Sequence, residues 1–307
     1  MDKLDSELLL KVADLHSVPQ GAYNIRKNGE LLARNCVEGI EITTKEDKPG
    51  IDIHVAENLK GESIHIPVIV TEGDLQDLVY NDFYVGNNAE VLIVAGCGLH
   101  NEDNKDNSHT GIHEFWIGEN AVVRYVEKHY AQGDTEAEKN LDPTTIVHLA
   151  KNAHFVMETV QLGGVTHSER VTEADLDDFA VLEVKESILT EGEQDASTTF
   201  SVELNGKNSK VNVISRSVAK GNSEQEFISE INGNNESFGH VECDAIVFDN
   251  AQVSSTPALR NTHPDAQLTH EAAIGKIAGE QIIKLQTLGL TKEQAEEAIL
   301  KGFLNEL

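Results

Sequence analysis

Hydrophobic and polar positions alternate along most of this chain in short runs with the period of β-strands. Ile51-Asp52-Ile53-His54-Val55 alternates, and Ile64 to Val70 is nearly all apolar, the patterns expected of half-buried and fully buried strands. Beyond them one unit recurs: a short apolar strand, a turn carrying Asn before a small residue, and another alternating strand. It is read at 83–91, 115–123, 147–155 and 202–211, and more weakly at 233–237. The turn asparagines, Asn88, Asn120, Asn152, Asn208 and Asn235, are 32, 32, 56 and 27 residues apart. The long step is two of 28, with Asp177-Asp178-Phe179-Ala180-Val181 as a degenerate copy between. Strands at such a period with no helices between them predict a β-solenoid, each coil covering the next. Asn suits the turns because it tolerates left-handed backbone and can bond its own chain. A β-sandwich is the rival architecture, but nothing in it requires one turn chemistry at one period.

The ends read differently. Residues 2–16 predict an amphipathic helix with Leu4, Leu8, Leu9, Val12 and Leu15 on one stripe. The stretch 21–50 is short and mixed, and Lys45 to Gly50 is turn-rich. After Asn261 the strand pattern fades. Ile277, Ala278, Ile282, Leu285 and Leu288 then recur at helical spacing up to a stop at Gly289, and Thr291-Lys292-Glu293-Gln294 is a capping box for a second helix. The expected organisation is a helical and mixed segment at 1–50, a mainly β, β-helix core at 51–270, and a two-helix segment at 271–307. That tail either folds back to cap the last coil or docks another subunit.

Composition narrows the function classes. Aromatic residues are only 5% against 39% hydrophobic, which suits aliphatic layers. A net charge of −29 repels phosphates, and so argues against nucleic acid and anionic membrane surfaces. The chain opens without a leader-like segment and holds no apolar run long enough to span a bilayer; with three cysteines, an odd number, this points to a cytoplasmic protein with free or metal-bound thiols. Gly206-Lys207 and Gly275-Lys276 lack the following Ser or Thr of a nucleotide-binding loop, and no Gly-x-Ser-x-Gly elbow occurs. ATP chemistry would have to come from a partner.

Two clusters could carry chemistry. In the first, Cys97 and His100 are followed by His109 and His113, spacings at which a turn can offer two ligands to zinc or ferrous iron. The second is Cys243 with His270 and Glu271. Coils of a solenoid are one interstrand distance apart, so residues one period apart sit one above the other. Cys243 and Glu271, 28 apart, meet that condition. Thiolate, carboxylate and imidazole together suit iron. Neighbours on a strand face opposite ways, so only one of His270 and Glu271 would face Cys243. A buried structural cysteine is the plain alternative.

The segments Glu242-Cys243-Asp244-Ala245, His270 to Ile277, Glu280-Gln281-Ile282 and Leu288-Gly289-Leu290, leading to Ile299-Leu300-Lys301-Gly302-Phe303, resemble the C-terminal half of SufB and SufD. These are scaffold subunits of the SUF iron–sulfur cluster assembly machinery. The resemblance implies a right-handed parallel β-helix core and no enzymatic activity of the chain's own. It implies a second SufB/SufD-like subunit, here as a homodimer, and C-terminal helices that dock SufC, an ABC-type ATPase. Sulfur would come from a cysteine desulfurase, and the transient cluster would pass to apo iron–sulfur proteins. Cys243 matches the family's sulfur acceptor and cluster ligand, Glu271 the glutamate beside it, and His270 a histidine important in both subunits; Glu at 271 is more like SufB. The chain is shorter than the larger SufB proteins and lacks their N-terminal extension with its clustered cysteines. Two other readings stay open: a β-helix metalloenzyme built on Cys97, His100, His109 and His113, and a metal-free structural regulator of an ABC ATPase.

Overall fold

A computed structural model describes residues 3–13, 15, 19–101, 104–133, 136–161 and 163–304. The chain begins with helix α1 (Lys3–Ala13), the described part of the expected 2–16 helix; residues 2, 14 and 16 lie outside the described residues. Strands β1 (Ala22–Lys27), β2 (Glu30–Asn35) and β3 (Ile40–Thr44) follow, then β4 (Gly50–Val55), β5 (Lys60–Val70), β6 (Gln76–Val85) and β7 (Glu90–Asn101). The middle is β8 (Asn107–Ile117), β9 (Val122–Gly133), β10 (Lys139–Leu141), β11 (Thr144–Leu149), β12 (His154–Gln161) and β13 (His167–Leu176). The last coils hold β14 (Val181–Thr190), β15 (Asp195–Leu204), β16 (Ser209–Ala219), β17 (Glu224–Gly233), β18 (Ser237–Val247), β19 (Gln252–Asn261) and β20 (Gln267–Gly275). Helices α2 (Gly279–Thr287) and α3 (Lys292–Leu304) close the described chain. None of its helices is long and apolar enough to cross a membrane.

From β4 onward successive strands alternate between two sheets, β10 and β11 together taking one place, and within each sheet each strand pairs in parallel with the one a coil later. The result is a mainly β protein, a β-solenoid of about eight turns. Antiparallel pairs, β1 with β2 and β3 with β4, finish the N-terminal edges of the sheets, so the segment before residue 50 carries three strands besides its helix. At the other end β20 runs to Gly275, and α2 starts at Gly279.

The turn asparagines explain the repeat. Asn58, Asn88, Asn120, Asn152 and Asn208 all have φ between 57° and 60°, and Phe179 takes the same place in the degenerate copy at 60°. The Asn88, Asn120 and Asn152 amides each donate to the preceding asparagine of the ladder, at 3.3, 3.2 and 3.0 Å. Asn235 is not on this ladder: Glu236 pairs with Asn208. Inside, Phe83 stacks on Phe115, and aliphatic layers fill the half of the lumen nearest the asparagine corner.

The helices lie on the outer face of the first sheet. α1 crosses β7 where Gly96 leaves room; a Cβ there would sit 2.3 Å from the Val12 carbonyl oxygen. Both halves of the Thr291/Gln294 capping box form, at 2.9 and 3.2 Å. Leu300 and Leu304 of α3 pack on Val218, so α3 covers the flank of the sheet rather than the end of the last coil. α2 buries no residue, and its Ile283 stands 61% exposed.

Candidate functional site at the end of the lumen

Parallel in-register pairing puts partner residues on the same face, so one inward file can be followed from coil to coil. On the first sheet it runs Glu127, Thr159, Glu186, Ser215, Cys243 and Ala272. Cys243 therefore ends a polar file buried inside the solenoid, and is itself 3% exposed.

Charge in this file is held in place. Arg170, inward from the facing sheet, donates to Glu127 Oε2 at 2.5 Å and lies 3.7 Å from Glu186 Oε1. Its other guanidinium nitrogen donates to His129 Nδ1 at 3.3 Å. Burial alone would raise the Glu127 carboxyl, but Arg170 and then His129 hold it well below the usual range. Glu186 is pushed up by burial, against Arg170 and the hydroxyls of Ser215 and Thr198. Those hydroxyls donate to its two oxygens at 2.7 and 3.0 Å.

At Cys243 burial pushes the thiol up to about 11, partly offset by the Ser255 hydroxyl. Ser255 comes from β19 on the facing sheet, where it continues the inward file of Thr198 and Phe227. Its Oγ is buried with no hydrogen bond of normal geometry, as is His270 Nε2. A buried polar atom left unpaired costs about 1–3 kcal/mol, so these two mark binding capacity to spare at this end of the lumen. Burial, with His240 nearby, lowers the His270 pKa and favours the neutral ring.

Register corrects the sequence expectation for Glu271. The coil step here is 29 residues rather than 28: Cys243 pairs with Ala272, Glu242 with Glu271 and Val241 with His270. Glu271 therefore shares the outer face with Glu242 and is exposed, whereas His270 shares the inner face with Cys243. One residue of register decides which neighbour shares the thiol's face.

The first cluster also separates. Cys97 and His100 lie on one strand rather than at a turn, and three residues along a strand place them on opposite faces. Cys97, His109 and His113 line a small cavity inside the lumen with Glu127 and His129, and His100 is not among its walls. His113 donates from Nδ1 to the Tyr125 hydroxyl at 2.7 Å and accepts from Asn81 at 3.2 Å, so both ring nitrogens are engaged. His109 Nδ1 faces Asp77 at 3.0 Å. Burial pushes the Cys97 thiol well up. Among the described residues no three His, Cys, Asp or Glu side chains come together as a metal-binding group.

Sequence reasoning missed Glu127, His129, Arg170, Glu186 and Ser255. Each is a polar residue at an inward position of an alternating strand, and the strand phase is the signal that could have exposed them.

The fold and this site define a class: a β-solenoid with a buried thiol at the open end of a polar lumen. Residues 78–303 match the family model described as SUF system FeS cluster assembly, SufBD core domain. An iron-sulfur cluster assembly SufBD family protein of Pyrococcus horikoshii is 30% identical over 290 residues, covering 90% of this chain and 85% of the relative. One from Methanocaldococcus jannaschii is 28% identical over 293 residues, covering 94% and 92%. One from Archaeoglobus fulgidus is 28% identical over 275, covering 86% and 71%. The chain belongs to the SufB/SufD family of iron–sulfur cluster assembly proteins.

Proposed function

We propose that this chain is a scaffold on which an iron–sulfur cluster is built, with Cys243 accepting sulfur and then ligating the nascent cluster. The observation that carries the reading is a buried thiol with the Ser255 hydroxyl beside it and His270 on the same inward face of the next strand, at the open end of the lumen. In this reading the thiol becomes a nucleophile once it is deprotonated. The polar file behind it gives a proton somewhere to go, because Ser215 lies between Cys243 and Glu186. His270 is the second ligand from this chain. Glu271, on the outer face, acts across an interface with a second subunit, which brings the remaining ligands. A homodimer meeting at the last coils fits the exposed apolar side chains there, Leu259 and Ile274.

The reading assigns ATP chemistry to a SufC-like ABC ATPase docked on α2, whose apolar side chains are uncovered. Sulfur arrives from a cysteine desulfurase, and the product leaves to apo-proteins. The three unpaired cysteines suit a reducing cytoplasm.

The test is anaerobic reconstitution with iron and sulfide, read by visible absorbance and by iron and sulfide analysis, on the wild type and Cys243→Ser. Cluster in the wild type and its loss in a folded variant is the expected result. A full cluster retained by the variant overturns the role given to Cys243.

A further inference from the structure

We propose that Ser255 is a positioning residue for sulfur chemistry at Cys243: its hydroxyl, brought from the facing sheet, donates a hydrogen bond to the sulfur that Cys243 receives. The proposal rests on the reading of Cys243 as sulfur acceptor, and assigns a residue to that site which lies outside the segments carrying the family resemblance.

Three observations support it. First, Ser255 is inward, in register with Phe227 and Thr198, so its hydroxyl points into the lumen where Cys243 sits. Second, the hydroxyl sits beside the Cys243 thiol, where it offsets part of the rise that burial causes, and its buried Oγ makes no other hydrogen bond. The other hydroxyl beside the thiol, Ser215, is already committed to Glu186 at 2.7 Å. Third, β19 is the last strand of its sheet, so Ser255 has a neighbouring strand on one side only. A terminal sulfur anion is large and charged, and a donor fixed by the opposite wall stabilises it without having to be reoriented.

The step is a sulfur transfer. The Cys243 thiolate attacks the terminal sulfur of a sulfane donor and forms a new S–S bond. The donor's own S–S bond breaks, and its electron pair leaves on the shortened donor anion. The proton given up by the thiol passes by way of Ser215 to the Glu186 carboxylate. Neither oxidant nor reductant beyond the donor is needed.

The full-length protein is treated with inorganic polysulfide, freed of excess, and sampled with time; the added sulfur on the Cys243 peptide is followed by mass spectrometry. Wild type, Ser255→Ala, Ser255→Thr and Cys243→Ser are compared, with circular dichroism and the thermal midpoint as the check on folding. The expected result is a persulfide on Cys243 whose lifetime falls about tenfold in Ser255→Ala, as for loss of one charge-assisted hydrogen bond. Ser255→Thr, which keeps the hydroxyl, restores it. Equal lifetimes in wild type and Ser255→Ala overturn the role of Ser255 and leave the sulfur-acceptor reading standing. If Cys243 takes up no sulfur even in the wild type, the acceptor reading falls and the proposal falls with it.

Discussion

Phe179 occupies a left-handed turn position that five asparagines hold elsewhere on the same corner, with φ at 60°. A side chain with a bulky Cβ substituent is strained there, and 46% exposure means that little burial compensates. Phe179→Asn should therefore stabilise the protein by about 1 kcal/mol, seen as a higher urea midpoint at unchanged slope. A lower midpoint would show that the phenyl ring matters more than the backbone. His113 sets a different expectation. Burial holds its pKa down at about 4, whereas an unfolded chain binds that proton from about 6.5 downward. Because the unfolded state then binds more protons, stability is present above pH 6.5 and is lost as pH falls toward 4, by about 3 kcal/mol in all. His113→Gln should remove about one proton from the slope of unfolding free energy against pH in that window, measured by urea titration at several pH values.

At the scale of elements, the file Glu127–Thr159–Glu186–Ser215–Cys243 crosses five strands and is tied to the facing sheet by Arg170. Removing one partner of a buried ionic network strands the others, so Arg170→Met should cost about 3–5 kcal/mol. Glu186→Gln in the same chain should recover part of that, because one fewer carboxylate is left uncompensated; equal stability of the single and double variants would refute the coupling. This file was the least legible part of the sequence. Its members are 32, 27, 29 and 28 residues apart, so no fixed period aligns them, and each alone looks like an ordinary polar residue in a half-buried strand. The same irregularity misplaced Glu271 by one residue. What could be read was what repeats locally: the asparagine turns at 88, 120, 152 and 208, the copy at Phe179, and the Thr291/Gln294 capping box, though not the turn expected at Asn235. Strands β1 to β3 escaped because they are five or six residues long and two of them pair only at an edge. The pairing of Ser255 with the thiol was out of reach, since residues facing each other across a lumen share no spacing rule.

For the whole molecule, a net charge of −29 spread over a rod of stacked coils opposes compactness. Raising NaCl from about 10 mM to about 0.5 M should screen that repulsion and raise the thermal midpoint; a midpoint that falls would mean that the ion pairs along the coils outweigh the net charge. Such a stack also has a one-dimensional energetics, in which a coil is held only by the coils on either side. The N-terminal end is finished by antiparallel strands, but β19 and β20 each have a parallel partner on one side only, and most of their side chains are exposed. Fraying therefore begins where the thiol is. The amides of β20 should exchange with deuterium well before those of β12 or β14, and the rate at which a buried sulfur meets its reagents is then set by the opening of the final coil, a gate with no hinge and no lid.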